Sequence, residues 1–519
     1  MRKLFIISLL CVLGISVFGQ KNDQKNILFI AVDDLKPLLS VYGHNEMHTP
    51  NFDRLAAMGA TFTNAHVQYA VCGPSRASIM TGTFPDETKV WDLHTDFRES
   101  APSLISMPEY LIHQGYETTA IGKIYHKGSS AEGHDGKSWS IPHQLPENYP
   151  VAYGEPAFSY YQNPETKARM TALTEEGQAK GLKGNGKLRN YVFEHLKPST
   201  ESADVPDAAY QDGLYTLAAI DMLEKLKAGD KPFFLGVGYQ KPHLPFVAPQ
   251  RYWDMYDRSK IDLSPFQELS EGTPQIAYHS FGELRAYSDI DNDLRQGDVL
   301  PEDKQRELIH GYMACVSYID AQLGMLLDAL EKKGLAENTV IVLWGDHGFH
   351  LGDHTLWCKH SNFEQATHIP LMFAGPGVEA GAQVSQPVNL VDVFPTLFEL
   401  SGVTPSAQTT GKSLVPLLDG NDKTTLAQDY AISQYQRNKN NTMGYSLRTD
   451  RYRYTEWVEE FRSYQPYGKN KVSGVELYDY ETDPNETRNL AGDPAYAKVV
   501  MEMKAKLLAH LAEQEKAMN

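Results

Sequence analysis

The chain is short of positive charge. Lys and Arg number 48 against 66 Asp and Glu, a formal charge of -18 at pH 7. A balance of that sign excludes a general binder of nucleic acid or of anionic membrane. Any anionic substrate must then be met by a local group of cations built from particular residues. Internal repeats and low-complexity tracts are also missing. With 41% hydrophobic and 22% charged residues the composition is that of a globular chain, which leaves out disorder and fibrous repeats. The 519 residues suffice for one large domain and one or two smaller units. Cysteine is scarce, at four residues.

The N-terminus reads as a processing segment. Arg2 and Lys3 precede an apolar run from Leu4 to Phe18, broken only by Ser8, Gly14 and Ser16. Val17-Phe18-Gly19 then offers modest or small residues at a cleavage site, so residues 1–19 are expected to be a secretory signal peptide. The run is too short for a membrane anchor and Lys21 to Asn26 is polar, so no stable membrane insertion is expected. Cys11 after Ser8-Leu9-Leu10 offers a lipidation site, though it lies mid-run before Val12 and Leu13. Loss of Arg2 and Lys3 takes the charge from -18 to -20. The mature chain is expected in the periplasm or the medium. It retains Cys72, Cys315 and Cys358, an odd number that flags a thiol with another use. Cys315 and Cys358 could pair, but their positions do not establish it.

Several apolar runs have the length of strands buried on both faces and lack alternation. Ile27–Val32 ends in Asp33-Asp34, and Thr118–Gly122 in Lys123 with His126 shortly after. Phe233–Tyr239 leads to Lys241-Pro242-His243, and Thr339–Trp344 to Gly345-Asp346-His347. Helical patterns lie between them, at Asn51–Met58, Met107–Gln114 and Arg306–Lys332. This alternation predicts an α/β fold with a largely parallel sheet covered on both faces. Ligands of such sheets bind beyond the carboxyl ends of the strands, so all four endings should meet at one edge. Residues from about 132 to 207 are weakly periodic and read as surface excursions. From about Asp429 the character changes. Tyr430–Tyr435, Gly444–Arg448, Tyr452–Trp457 and Val475–Tyr480 look like short strands, and Ala495–Glu513 like an amphipathic helix. The expected division is a main domain over 20–424 and a smaller α+β subdomain over 425–519.

Asp33, Asp34, Asp346 and His347 together supply three carboxylates and an imidazole. Hard oxygen donors in that proportion suit Ca²⁺ or Mg²⁺ rather than a structural zinc. Cys72-Gly-Pro-Ser-Arg76, followed by Thr81-Gly82, reads on the residues alone in two ways. It is either a buried cysteine beside a turn or a reactive residue at a helix N-terminus with Arg76 one turn on.

That C-x-P-S-R string with its trailing Thr-Gly resembles the maturation signature of type I sulfatases. The likeness runs along most of the chain and is nearest to the iduronate-2-sulfatase-like subgroup. It includes Val32–Leu35, Ser40–Gly43, Thr49–Asn51, Phe62–Ala65 and Ala70–Arg76. Gly122–His126, Lys241–Phe246, Asp346–Gly348, Trp357–Phe363 and Ala366–Pro370 continue it. His347 stands where many sulfatases carry Asn, and this subgroup carries His. The resemblance implies an alkaline-phosphatase-like fold, a large mixed or parallel sheet between helices with a small C-terminal subdomain. It further implies that Cys72 is oxidised to formylglycine by a maturation enzyme. It makes Ca²⁺ the expected ion, held by Asp33, Asp34, Asp346, His347 and the modified Cys72. Lys123, His126, His243 and Lys359, each open to a structural reading by itself, fall at sulfate-binding or catalytic positions of the family. His94, Arg98, His350, His354 and His360 are further candidates for substrate contact.

The implied chemistry is attack of a formylglycine gem-diol hydroxyl on sulfur, helped by Arg76. Lys123 and Lys359 would meet the sulfuryl oxygens, His243 would protonate the leaving sugar oxygen and His126 would take the proton of the second hydroxyl. The expected substrate is a sulfated oligo- or polysaccharide, either a glycosaminoglycan uronate 2-O-sulfate or an algal glycan such as ulvan or carrageenan. Two rivals stand beside it: a phosphonate or phosphate monoester hydrolase of the same superfamily, and a non-catalytic glycan-binding protein of the envelope.

Overall fold

Runs with no polar alternation are stable as strands only where both faces are covered, and the four singled out in the sequence lie side by side. In the computed structural model Asn26–Val32 sits between Phe233–Tyr239 and Thr339–Gly345, parallel to both. Glu117–Gly122 adds in parallel on the far side of Phe233–Tyr239. The structure describes residues 24–130, 134–144, 160–420, 424–437, 441–463 and 469–518, so the proposed signal segment 1–19 lies outside it. Alternate residues of Asn26–Val32 enter different cores. Leu28, Ile30 and Val32 face the helices Gln211–Lys227 and Glu302–Lys332. Ile27, Phe29 and Ala31 face Cys72–Thr81, Met107–His113 and Val393–Leu400.

The sheet has eight strands and is mixed rather than wholly parallel. His368–Ala374 runs antiparallel to Thr339–Gly345 and to Gly59–His66. An antiparallel neighbour needs no crossover helix, and the connection from residue 345 to 368 carries only the two-residue strands His350–Leu351 and Trp357–Cys358 and single helical turns at Asp353–Thr355 and Glu364–Thr367. Ala382–Val384 and Val388–Asn389 pair with Gly59–His66 at the rim. Glu302–Lys332 is long and apolar enough to cross a membrane by composition, but that apolar stretch is buried inside the protein and is a core helix.

The excursion read over residues 132–207 contains two well-formed helices, Pro164–Ala179 and Asn185–His195. Asn163 caps the first by accepting from the Glu165 N–H at 2.9 Å. Only Met170 and Gly177 in one and Val192 in the other are buried, so no apolar stripe marked them as helices. The thiols Cys72, Cys315 and Cys358 are all free and buried. Cys315 lies within the core helix near the Val247 carbonyl, and Cys358 on the short strand Trp357–Cys358, so the pairing left open above does not form.

The C-terminal strands Tyr430–Arg437, Thr442–Thr449, Tyr452–Glu459 and Val472–Asp479 form an antiparallel meander. Met503, Leu507 and Leu511 of the helix Ala497–Met518 pack on it. Its first strand grips the segment leading to Cys72. The Gln434 N–H donates to the Gln68 carbonyl at 2.8 Å, and Ser433 Oγ donates to the Val67 carbonyl at 2.6 Å.

Candidate active site

The strand endings meet as parallel-sheet geometry demands. The Asp33 N–H donates to the Tyr239 carbonyl, Asp346 N–H to Val32 and Lys123 N–H to Gly238. These three bonds hold the residues just past the strands in one layer. Gly238 allows the close approach, since a Cβ there would fall 2.0 Å from the Lys123 carbonyl oxygen. Asp34 turns into the left-handed region, φ 59°, which Asp tolerates better than most side chains. Its N–H donates to Asp346 Oδ1 at 3.0 Å. Cys72 opens the helix Cys72–Thr81, every residue of which is buried, and Ser75 Oγ donates to the Asp346 carbonyl at 2.5 Å.

Asp33, Asp34, Cys72, Asp346 and His347 each place one ligand atom within 4.8 Å of the others, and all five are buried. The His347 Nδ1–H donates to the Gly348 carbonyl at 2.9 Å, so its Nε2 turns a lone pair inward. That nitrogen is 3.2 Å from Asp34 Oδ1 and 3.2 Å from Cys72 Sγ. Burial would raise the Asp33 carboxyl, but Lys123, Arg76 and His243 together hold it well below the ordinary range. Asp346 moves the other way: burial, helped by Asp33, raises it despite Arg76. Three carboxylates here face three cations, Arg76, Lys123 and Lys359, so this cluster, among the described residues, offers no surplus positive charge to an anion. Inward lone pairs, hard oxygen donors and a need for further positive charge all fit a bound divalent cation of the calcium type.

Each cation has a definite anchor. Arg76 donates through Nε to Asp346 Oδ2 at 2.8 Å and through Nη2 to Asp33 Oδ1 at 3.1 Å. Its Nη1 serves the carbonyls of Lys123 and Ile124, and its guanidinium lies 5.5 Å from the Trp344 ring centroid. With no exposed surface, Arg76 braces two carboxylates rather than reaching substrate. Lys123 Nζ pairs with Asp33. Lys359, itself buried, reaches Asp34 at 2.9 Å and Glu283 at 2.9 Å.

The two histidines differ. His126 is pushed down to about 3, by burial first and by Lys123 second, so its imidazole is neutral. Its buried Nδ1 has no hydrogen-bond partner among the described residues. The His243 Nδ1–H donates to the Leu244 carbonyl at 2.6 Å, leaving Nε2 toward Glu283 Oε1 at 3.4 Å. The Cys72 thiol is raised well above its ordinary value, by burial and then by Asp33 and Asp346.

Glu283 escaped the sequence reading. It belongs to no motif and follows no strand, and nothing in Phe281-Gly282-Glu283 signals a role. The weaker candidates separate in space. His360 Nε2 lies 3.9 Å from Glu283 and borders the site. Arg98 is tied to Asp135 and Glu109, His350 to Asp353 and Ser361, and His354 stacks on Phe363 while contacting Ser270. Their neighbours are structural. His94 is exposed, with its backbone N–H on Asp92.

Residues 25–403 match the family model described as Sulfatase, and residues 352–514 the model described as N-sulphoglucosamine sulphohydrolase, C-terminal. The chain is 33% identical to the iduronate 2-sulfatase of Homo sapiens, over 91% of this chain and 92% of that protein. It is 32% identical to a sulfatase of Formosa agariphila, over 97% of this chain and 91% of that protein. Among solved structures it is similar to one described in complex with its substrate D-glucosamine-2-N,6-O-disulfate, with TM-score 0.69, 23% identity and coverage of 95% and 98%. It is also similar to the phosphonate monoester hydrolase of Silicibacter pomeroyi, with TM-score 0.71, 21% identity and coverage of 95% and 96%. The architecture is alkaline-phosphatase-like, with the small C-terminal sheet as its subdomain.

Proposed function

The chain belongs to the sulfatase family, hydrolases of sulfuric esters, and from that membership we propose that it removes sulfate from sugars of a sulfated polysaccharide or its oligosaccharides, with Cys72 converted to formylglycine. One observation carries the reading. A helix-opening Cys72, five convergent ligand atoms and the ammonium groups of Lys123 and Lys359 share one edge of the sheet.

An unmodified Cys72 is poorly suited to attack, because its buried thiol keeps its proton. Formylglycine, when formed, supplies a hydrated aldehyde with one hydroxyl for attack on sulfur and a second whose deprotonation releases sulfate. Ca²⁺, when held by Asp33, Asp34, Asp346, His347 and residue 72, supplies positive charge for the sulfuryl oxygens. Lys123 and Lys359 add fixed positive charge to the same oxygens. His243, with Nδ1 committed to Leu244, has only Nε2 with which to protonate the departing sugar oxygen. His126, neutral in the folded protein, can accept a proton from residue 72. Arg76 holds Asp33 and Asp346 in place.

The sugar substrate is supported by the names of relatives, iduronate 2-sulfatase and the N-acetylglucosamine-6-O-sulfatase of Bacteroides thetaiotaomicron. A glycosaminoglycan uronate 2-O-sulfate and an algal glycan are the two classes to be separated. Export is part of this proposal and rests on Arg2, Lys3 and the apolar run ending near Gly19; a formylglycine-generating or anaerobic maturation enzyme is the required partner. The second reading, phosphonate or phosphate monoester hydrolysis, is favoured by the phosphonate hydrolase that shares the fold.

The test is sulfate release by protein co-expressed with a formylglycine-generating enzyme and loaded with calcium. Substrates are heparin-type disaccharides, ulvan and carrageenan oligosaccharides, and matched aryl sulfate and phosphonate esters. Release from a 2-O-sulfated uronate assigns the first class, and release only from algal sugars the second. Turnover of the phosphonate ester without any sulfate release overturns the proposal in favour of the second reading.

A further inference from the structure

We propose that Glu283 is the positioning residue of this site, holding the Lys359 ammonium and the His243 imidazole in one array through a single carboxylate oxygen. Glu283 Oε1 accepts from Lys359 Nζ at 2.9 Å and lies 3.4 Å from His243 Nε2. The inference rests on the desulfation reading above and assigns a residue that no motif of the chain identifies.

The chemistry of the partners sets what that oxygen does. An ammonium carries three N–H donors. Asp34 takes one of the Lys359 donors and Glu283 a second, so the group stops rotating and a single N–H remains for a sulfuryl oxygen. His243 has its Nδ1–H fixed on Leu244. Asp34 and Glu283 both place a carboxylate oxygen within 4.8 Å of a His243 ring nitrogen, and among the described residues Glu283 Oε1 is the one within 4 Å of Nε2, the nitrogen left to pass a proton to the sugar oxygen. When the S–O bond breaks, its electron pair stays on that oxygen and the Nε2 proton goes to it. Glu283 remains a carboxylate throughout.

Charge neutralisation alone does not account for this placement. Lys359 already meets Asp34, which is wholly buried, whereas the Glu283 side chain is 23% exposed and lies on the open side. Its backbone is pinned on both sides. Phe281 and Leu284 are buried in the core at 2% and 1% exposure. Phe281 also adopts φ 54°, a left-handed conformation that a phenylalanine rarely takes unless its surroundings impose it. Its N–H donates to His279 Nδ1 at 3.3 Å, and its carbonyl accepts from the Arg285 N–H at 3.0 Å. A residue anchored this firmly on both flanks, yet presented toward the histidine and lysine of the site, acts by orienting them.

The experiment compares wild type with E283Q, E283D, H243A and the E283Q/H243A pair on a sugar sulfate and on an activated aryl sulfate. Thermal unfolding is recorded for each. An aryl leaving group departs without protonation, a sugar alkoxide does not. E283Q should lose ~100-fold in kcat/KM on the sugar sulfate and under ~5-fold on the aryl sulfate, within the range of acid–base catalysis. E283D, which keeps the charge on a shorter arm, should fall between. The pair should lose no more on the sugar than H243A alone beyond the small factor that E283Q shows on the aryl sulfate, because the rest of its effect acts through the same proton transfer and only the Lys359 contact is independent of it. Equal losses of E283Q on the two substrates, or multiplied losses in the pair, overturn the inference. Failure of the wild type to release sulfate from either ester overturns the underlying reading instead.

Discussion

Arg76 donates through Nε to Asp346 Oδ2 at 2.8 Å, joining residues 270 apart in sequence, and neither side chain has exposed surface. The same guanidinium reaches Asp33, so one side chain near the start of the chain sets the spacing of two carboxylates from different strands. Arg76→Met strips the buried Asp346 of its cation and leaves Asp33 with Lys123 alone. It should cost ~3–5 kcal/mol of stability in urea unfolding, the usual toll for breaking a buried ion pair by one partner. Arg76→Lys should recover only part, since an ammonium lacks the planar fork that serves two carboxylates and two carbonyls at once. Full stability in Arg76→Met would remove this residue from its bracing role.

Cys72→Ala and Cys72→Ser should fold with a melting temperature within ~3 °C of wild type, because the side chain is small and the helix around it is packed by other residues. Turnover should fall by ~10³-fold or more, as for other lost nucleophiles. Mass spectrometry of the peptide containing residue 72 should show the aldehyde in active wild-type protein. Substantial turnover in purified Cys72→Ala would rule out the nucleophile.

Chelation should lower the melting temperature and added calcium restore it. At a hundredfold excess over Kd a bound ion contributes ~2.7 kcal/mol of stability. His347→Ala removes the inward lone pair without altering any charge among the carboxylates. It should weaken calcium affinity by at least ~10-fold, measured by titration calorimetry. Unchanged affinity would take His347 out of the ligand set.

Glu486 gives a pH dependence away from this cluster. Burial raises it to about 7 from the ordinary 4.5 despite Arg453. Between those values the unfolded chain has released the proton and the folded one has not. The stabilising contribution is therefore complete below pH 4.5 and is lost as pH rises through 7, by ~3 kcal/mol for a shift of this size. Urea unfolding at pH 5 and pH 8 should show wild type losing about that much more than Glu486→Gln on going alkaline. Parallel losses in the two proteins would place the proton elsewhere.

How far the molecule can be read from its sequence depends on where each residue spends its energy. Asn26–Val32 and Thr339–Gly345 are legible because strands covered on both faces must be apolar throughout, and Asp33, Asp34, Asp346 and His347 stand out as the abrupt end of those runs. Gly59–His66 is buried at every position but Thr63, yet it hides behind Thr63, Asn64 and His66, whose polar groups are satisfied by Val384, Ser385 and one another. Pro164–Ala179 hides for the opposite reason, since it is exposed nearly all round. Glu283 cannot be found in one dimension at all. Its meaning lies in the distance to Lys359, which is 76 positions away in the chain and 2.9 Å away in space.

The grip of Ser433 and Gln434 on Val67 and Gln68 makes the protein a timepiece. Cys72 is 3% exposed, and its approach is tied down by a strand that leaves the ribosome more than three hundred and fifty residues later. If residue 72 is converted by an enzyme, as proposed above, that enzyme should meet it while the chain is still open, before residues beyond 430 have paired with Val67 and Gln68. On that proposal, synthesis of the last fifth of the protein sets a deadline for work on its first fifth, and a chain that folds ahead of that schedule would be sealed with an ordinary thiol inside.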